Sequence, residues 1–156
     1  MRVGLGFDAH AFDDKRELIL GGVRFEGTPG LAGHSDADVL AHSIADALLG
    51  AARLGDLGEV FPGTPEWKDA SSIDLLKHVS TTMRRAGWRI VNVDATVIAQ
   101  RPRISPFKAW MAANIASALE IHVGEVSIKA TSTDGLGFAG RGEGVGAMAV
   151  VLVDRA

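Results

Sequence analysis

Val3-Gly-Leu-Gly-Phe-Asp-Ala-His10 alternates large apolar side chains with two glycines and an acid, the period-two pattern of a β-strand with one buried face. Val3, Leu5 and Phe7 are the set expected inside. The strand ends on Asp8 and His10, whose side chains project from one face with Cα atoms about 7 Å apart. Working outward, Glu17–Leu20 and Val23–Phe25 read as short strands around a Gly21-Gly22 turn. Ser35 is the expected N-cap of a helix running to about Leu54, with Asp38 three residues on. Residues 55–70 carry Gly55, Gly58, Pro62, Gly63 and Pro65 and read as loop. Ser71 and Ser72 precede a helix with Ile73, Leu76, Val79 and Met83 at three- and four-residue steps, stopped by Gly87.

Residues 88–99 read as a strand, 101–106 as a rigid connector, and 107–120 as a helix with Phe107, Trp110, Met111, Ile115 and Leu119 turned inward. Strands near 125–131 and 143–153 follow, separated by a glycine-rich loop. The order strand, hairpin, helix, helix, strand, helix, strand, strand specifies one α+β domain over residues 1–156, a mixed β-sheet with helices packed on one face. The last strand is apolar on both sides, Ala147, Ala149 and Val151 against Met148, Val150 and Leu152. Its helix-free face is therefore expected to be covered by oligomerisation.

The chain has 156 residues, 47% hydrophobic and 22% charged, with formal net charge −3. That excludes a disordered or collagen-like chain and fits one domain. No apolar run approaches the ~18 residues of a membrane span, and the first residues lack a signal-peptide apolar region, so a cytoplasmic setting is expected. There is no cysteine, so any transition metal must be held by His and carboxylate. No basic stripe with interleaved aromatics argues for nucleic-acid binding. Glycine, at 19 residues, is about 12% of the chain where roughly 7% is usual.

Four groups of residues carry chemistry. Steps of three and four place Ser35, Asp38, His42 and Asp46 on one stripe of the first helix. Asp8, His10 and His42 would then form a three-ligand site with an open fourth position, the form of a catalytic zinc. Asp46, one turn beyond His42, is placed to orient that imidazole. A D-x-H pair also arises by chance, and spacing alone does not choose. His34-Ser35, ahead of the helix, either meets a phosphate or is a surface residue and a cap. Lys129-Ala-Thr-Ser-Thr-Asp134 and the following run, with glycines at 135, 137, 140, 142, 144 and 146 and one Arg141, reads as a phosphate cradle with Asp134 on a hard divalent cation, or as a structural turn. Asp56 between Gly55 and Gly58 either accepts from a ribose or caps a helix. His78 and His122 read as structural.

Taken together, Gly6–His10, Gly33–Asp38, Asp46–Gly50, Leu54–Gly58, Val97–Gln100 and Lys129–Gly144 resemble, in order and spacing over essentially the whole chain, the 2-C-methyl-D-erythritol 2,4-cyclodiphosphate synthases of the non-mevalonate isoprenoid pathway. The resemblance implies a phosphorus–oxygen lyase. Its substrate is 4-diphosphocytidyl-2-C-methyl-D-erythritol 2-phosphate, whose 2-phosphate attacks the β-phosphate, closing a cyclic diphosphate and expelling CMP. It implies that Asp8, His10 and His42 hold Zn2+ or another divalent transition metal, and that Asp134, where the family has Glu, helps hold Mg2+ or Mn2+. His34 and Ser132 match positions that stabilise the transition state. Ser35, Asp56, Leu57, Gly58, Phe61, Ala99, Pro102, Arg103, Ile104, Ser105, Thr131, Thr133, Phe138 and Arg141 match substrate contacts, with Asp56 and Gly58 on the ribose and 99–105 on the cytosine.

The resemblance further implies a homotrimer, sheets facing the threefold axis and active sites between subunits. An axial cavity, apolar at Leu5 and Met148, would suit a prenyl diphosphate with Arg141 as its anchor. Two stretches depart from the family pattern: Phe61-Pro-Gly63-Thr-Pro65 lacks two carboxylates, and Asp134 is one methylene short. The residues leave two other readings, a zinc-dependent phosphohydrolase and a non-catalytic trimeric module that binds prenyl diphosphates.

Overall fold

The opening strand is longer than its alternation indicates. In the computed structural model, which describes residues 1–156, β1 runs Arg2–Leu20 without the break expected after His10. Its first half pairs antiparallel with β5 (Gly144–Arg155), from Arg2 opposite Val153 to Ala11 opposite Gly144. Its second half pairs antiparallel with β2 (Val23–Leu31). Register shifts between Asp13 and Leu18 let one strand serve both ladders. The Gly21-Gly22 turn has φ of +55° and +71°, the left-handed pair that a two-residue hairpin needs and glycine supplies. β3 (Trp88–Ile98) lies antiparallel to β5 and parallel to β4 (Val126–Thr131). The sheet is mixed, ordered β2-β1-β5-β3-β4.

Helices α1 (Val39–Ala52), α3 (Ser72–Arg85) and α4 (Lys108–Leu119) form the second layer, and the two layers share one core. Which face of β1 they cover reverses the expectation. A Cβ on Gly4 would lie 1.9 Å from the Ala47 carbonyl oxygen, and one on Gly6 1.9 Å from that of Ser43. The glycine face is therefore the covered one, and an alanine-rich helix rides directly on the strand backbone. Val3, Leu5 and Phe7 are 67%, 63% and 54% exposed, beside Met148 and Val150 on the opposite face. Alternation fixes two faces but not which of them meets the helix.

Helix α1 starts later than expected. Its N-cap is Asp38, not Ser35, and the Asp38 carboxylate accepts from Ala41 N at 3.1 Å. The same carboxylate accepts from Gly21 N at 2.9 Å and Gly22 N at 2.8 Å, so it joins the hairpin turn to the helix start and leaves the expected polar stripe. Burial and the neighbouring Asp36 carboxylate push Asp38 up to about 6, against the pull of those three N–H donors. Residues 55–70 hold a one-turn α2 (Leu57–Val60) and a 3-10 turn Pro65–Trp67. Ser71 caps α3 as expected. In α4, Met111, Ile115 and Leu119 are buried, but Trp110 is 65% exposed and not part of the inward stripe. The glycine-rich loop contains one helical turn, α5 (Gly137–Gly140).

Candidate active site

Asp8 and His10 sit on the helix-facing side of β1, and α1 brings His42 to meet them. Asp8 Oδ2 lies 2.8 Å from His10 Nε2 and 3.0 Å from His42 Nδ1, and the two nitrogens are 3.3 Å apart. Four ligands about 2.0 Å from a tetrahedral zinc are about 3.3 Å from one another, so three donor atoms stand close to the required triangle. They are one carboxylate oxygen and two imidazole nitrogens, a donor set suited to zinc or a similar divalent ion. Burial pushes the Asp8 carboxyl up, but the bonds to His10 and His42 outweigh it and hold it well below the usual carboxylate range. The bond to Asp8 raises His10, outweighing desolvation.

Each imidazole is held by its other nitrogen. His10 Nδ1 is 2.6 Å from the Ala32 carbonyl oxygen. His42 Nε2 is 2.9 Å from Ser72 Oγ and 3.1 Å from Ser35 Oγ, both buried. Asp46 does not do this work: its carboxylate accepts from Leu57 N at 3.1 Å and fixes the start of α2. The helical step from 42 to 46 is right, but the N–H of Leu57 holds the Asp46 carboxylate instead. Ser72 and Asp36, which no spacing in the sequence singles out, take its place, with Asp36 accepting from both Ser72 N and Ser72 Oγ. Only an S-S pair before a helix pointed to them, and it reads equally as a cap.

The three donor atoms open on a pocket of about 230 Å³ whose walls include His34, Ser35, Leu57, Gly58, Phe61 and Trp67. Five of these are residues named from sequence; Trp67 is not, and its ring stands edge-on to Phe61 with centroids 4.9 Å apart. His78 joins the same aromatic group, and His122 caps a 3-10 turn; both are structural. His34 Nε2 is 2.7 Å from the Thr64 carbonyl oxygen, and the guanidinium of Arg16 donates to the carbonyls of Gly33 and Ser35. Asp56 caps α2, accepting from Glu59 N at 2.9 Å, and remains exposed.

The remaining candidates lie outside the lining of that pocket. Thr131, Ser132, Thr133 and Asp134 follow β4, and β3 and β5 stand between β4 and β1. At ~4.8 Å per strand, that is about 14 Å from the strand that carries Asp8 and His10. Asp134 is left-handed at φ +52°, with its carboxylate 3.3 Å from Ser132 Oγ. The hydroxyls of Thr131 and Thr133 donate to the carbonyls of Ser132 and Leu136. The ring of Phe138 lies over Gly146. Arg141 is paired with Glu143 through Nε at 2.5 Å, which holds it above its ordinary pKa. Pro102 and Arg103 line an open cleft of about 570 Å³, while Ala99 and Ile104 are buried and Ser105 exposed. Ser132 and Asp134, after β4, thus stand apart from the Asp8, His10 and His42 cluster, while Phe138 lies back beside β1 on Gly146.

No helix is long and apolar enough to cross a membrane. A model of the YgbB family matches residues 1–154. The 2-C-methyl-D-erythritol 2,4-cyclodiphosphate synthase of Syntrophomonas wolfei is 55% identical over 157 residues, covering the whole of both chains. Among solved structures, the bifunctional IspDF of Campylobacter jejuni matches with TM-score 0.95 at 44% identity, over 99% of this chain and 42% of that longer one. IspF of Plasmodium falciparum in its CDP complex matches with TM-score 0.86 at 32% identity, over 99% of this chain and 96% of that one.

Proposed function

The chain belongs to the YgbB family and catalyses formation of 2-C-methyl-D-erythritol 2,4-cyclodiphosphate in isoprenoid precursor synthesis, and we propose that it does so by metal-assisted intramolecular phosphoryl transfer. The observation that carries the proposal is the Asp8, His10 and His42 triangle opening on the pocket of His34 and Ser35. Those three residues would hold zinc. Such an ion neutralises phosphate charge and aligns the reacting groups.

The substrate is 4-diphosphocytidyl-2-C-methyl-D-erythritol 2-phosphate. An oxygen of the 2-phosphate forms a bond to the β-phosphorus as the bond to the oxygen bridging the α-phosphate breaks. CMP leaves with that oxygen, which makes the enzyme a phosphorus–oxygen lyase. His34, anchored through Thr64, faces the charge that spreads over the equatorial oxygens. Leu57, Phe61 and Trp67 keep water from competing for the β-phosphorus. Enclosing both phosphates in one pocket supplies the proximity that an intramolecular closure requires.

Asp134 would hold a second ion, Mg2+ or Mn2+, to neutralise phosphate charge, Ser132 would join His34 in stabilising the transition state, and Asp56 and Gly58 would take the ribose and 99–105 the cytosine. About 14 Å across the sheet separates Thr131–Asp134, after β4, from the strand of Asp8 and His10, which supports a homotrimer in which one subunit's 99–105 and 131–134 close on its neighbour's metal site. The exposed Val3, Leu5, Phe7, Met148 and Val150 supply the apolar face such an assembly buries around its axis. The same face would take the chain of a prenyl diphosphate, with Arg141 released from Glu143 to meet its phosphates. A cytoplasmic setting suits these soluble substrates.

The CDP-bound structure of a relative supports a cytidine diphosphate substrate, and neither hydrolase nor binding module is favoured beside it. Phosphorus NMR of the reaction mixture tests the proposal. CMP released one-for-one with a cyclic diphosphate is expected; open-chain phosphate products overturn it in favour of hydrolysis.

A further inference from the structure

We infer that Asp36 and Ser72 form a positioning relay that keeps the ring hydrogen of His42 on Nε2, leaving Nδ1 bare toward Asp8 and His10; the inference rests on reading that cluster as a metal site. Ser72 is the first residue of α3 and fully buried. Asp36 precedes α1, and its Oδ2 accepts from Ser72 N at 3.0 Å. Its Oδ1 accepts from Asp38 N at 3.1 Å and from the Ser72 hydroxyl. A carboxylate only accepts, and a hydroxyl has one hydrogen to give. With that hydrogen committed to Asp36, Ser72 Oγ presents only lone pairs to His42 Nε2, 2.9 Å away.

The Ser72 contact then favours the hydrogen on Nε2, because otherwise two lone pairs face each other in a buried site. Ser35 Oγ, 3.1 Å from the same nitrogen, accepts from Ala37 N, and with its own hydrogen turned to Ser72 Oγ, 3.5 Å away, it is a second acceptor for that hydrogen. The relay works against a real competitor. Asp8 Oδ2, 3.0 Å from Nδ1, draws the hydrogen to Nδ1, and an imidazole protonated there cannot ligate. His10 meets the same problem differently, since its Nδ1 faces the backbone carbonyl of Ala32. That device cannot be deleted by substitution, whereas the one on His42 can. The relay also spans three elements, so the orientation of a ligand on α1 depends on where α3 begins.

Zinc affinity, measured by competition with a chromophoric chelator on full-length Ser72→Ala, Asp36→Asn and the double variant, tests this. Partners that fix a ligating imidazole are worth roughly 10- to 100-fold in metal affinity. Each single variant is expected to lose that much. The double variant should lose no more than the larger single loss, because either change breaks the same chain. In zinc-loaded wild type the His42 Nε2 hydrogen should appear in proton NMR as a slowly exchanging ring signal, absent from Ser72→Ala. A buried serine with a purely structural role moves the melting temperature but not that signal. Ser72→Ala that folds, binds zinc within about threefold of wild type and keeps the ring signal overturns the relay. If Ser72→Ala does not fold, the same two readings on Asp36→Asn decide. Wild type that binds no zinc overturns the metal site itself, a failure the wild-type titration shows before any variant is compared.

Discussion

Replacing Gly6 by alanine should damage the metal site without touching a ligand. The added Cβ would sit 1.9 Å from Ser43 O and 2.8 Å from Ala47 N, where real Cβ atoms keep at least 3.0 Å. Both obstacles are backbone, so no side chain can swing aside. Helix α1 must lift from β1 by at least 1.1 Å, the shortfall of 1.9 against 3.0 Å. His42 precedes Ser43 on α1, while Asp8 lies two residues from Gly6 on β1. The lift therefore stretches the 3.0 Å separation of Asp8 Oδ2 and His42 Nδ1 by several times the ±0.2 Å that a metal centre tolerates in its ligand distances. Overpacking costs about 1–3 kcal/mol, here at the upper end. At roughly 2–4 °C per kcal/mol for a chain of this size, the Tm should fall by about 6–12 °C. Zinc affinity should fall at least roughly 100-fold, beyond the effect of losing an outer partner. Gly50→Ala is the control: it lies on the exposed side of the same helix with open space around its Cβ. It should gain about 0.5–1 kcal/mol and bind zinc normally. Scanning calorimetry and chelator competition read both quantities. A Gly6→Ala protein that melts within about 2 °C of wild type and binds zinc equally well refutes the reasoning.

Other outcomes follow from the same contacts. Asp38 rises from its ordinary 3.8 to about 6 on folding, so its contribution to stability is fully present below about pH 4 and lost as pH rises through 6. Denaturant titrations should show Asp38→Asn gaining about 2 kcal/mol relative to wild type between pH 4 and pH 7; a pH-independent difference contradicts it. Arg16→Ala removes the guanidinium that braces the Gly33 and Ser35 carbonyls. It should cost about 1–2 kcal/mol and raise KM through the loosened His34, and unchanged kinetics count against that brace. Phe7→Asp places a charge in the exposed apolar face of β1; light scattering should then report one chain where wild type reports three, and an unchanged mass removes that face from the interface.

The fold was largely legible because its signals are local. Periodicity marks the strands and helices, Gly21-Gly22 marks the hairpin, and Ser71 marks the start of α3. What alternation could not supply is which face of β1 lies inward, because Gly4 and Gly6 look like gaps in a pattern whose apolar members suggest burial. Only the position of α1, held by contacts distant in sequence, turns those glycines into the core side. The Asp8, His10 and His42 cluster was legible for the same local reasons, a D-x-H on a strand end and a histidine on an otherwise apolar helix. Its supports were not: Asp46 sits at the right helical step but is taken by Leu57 N, while Ser72 reaches His42 from 30 residues away. The start of α1 was misplaced for a related reason, since Ser35 and Asp38 are both good caps and only the contact of Asp38 with the hairpin turn chooses.

The most direct test is the metal content of protein purified without chelator, measured beside its turnover and repeated on His42→Ala. One zinc per chain with active wild type, and neither zinc nor turnover in a folded His42→Ala, is the predicted result. Wild type that contains no zinc and none of its divalent substitutes, yet turns over fully, contradicts the assignment of Asp8, His10 and His42.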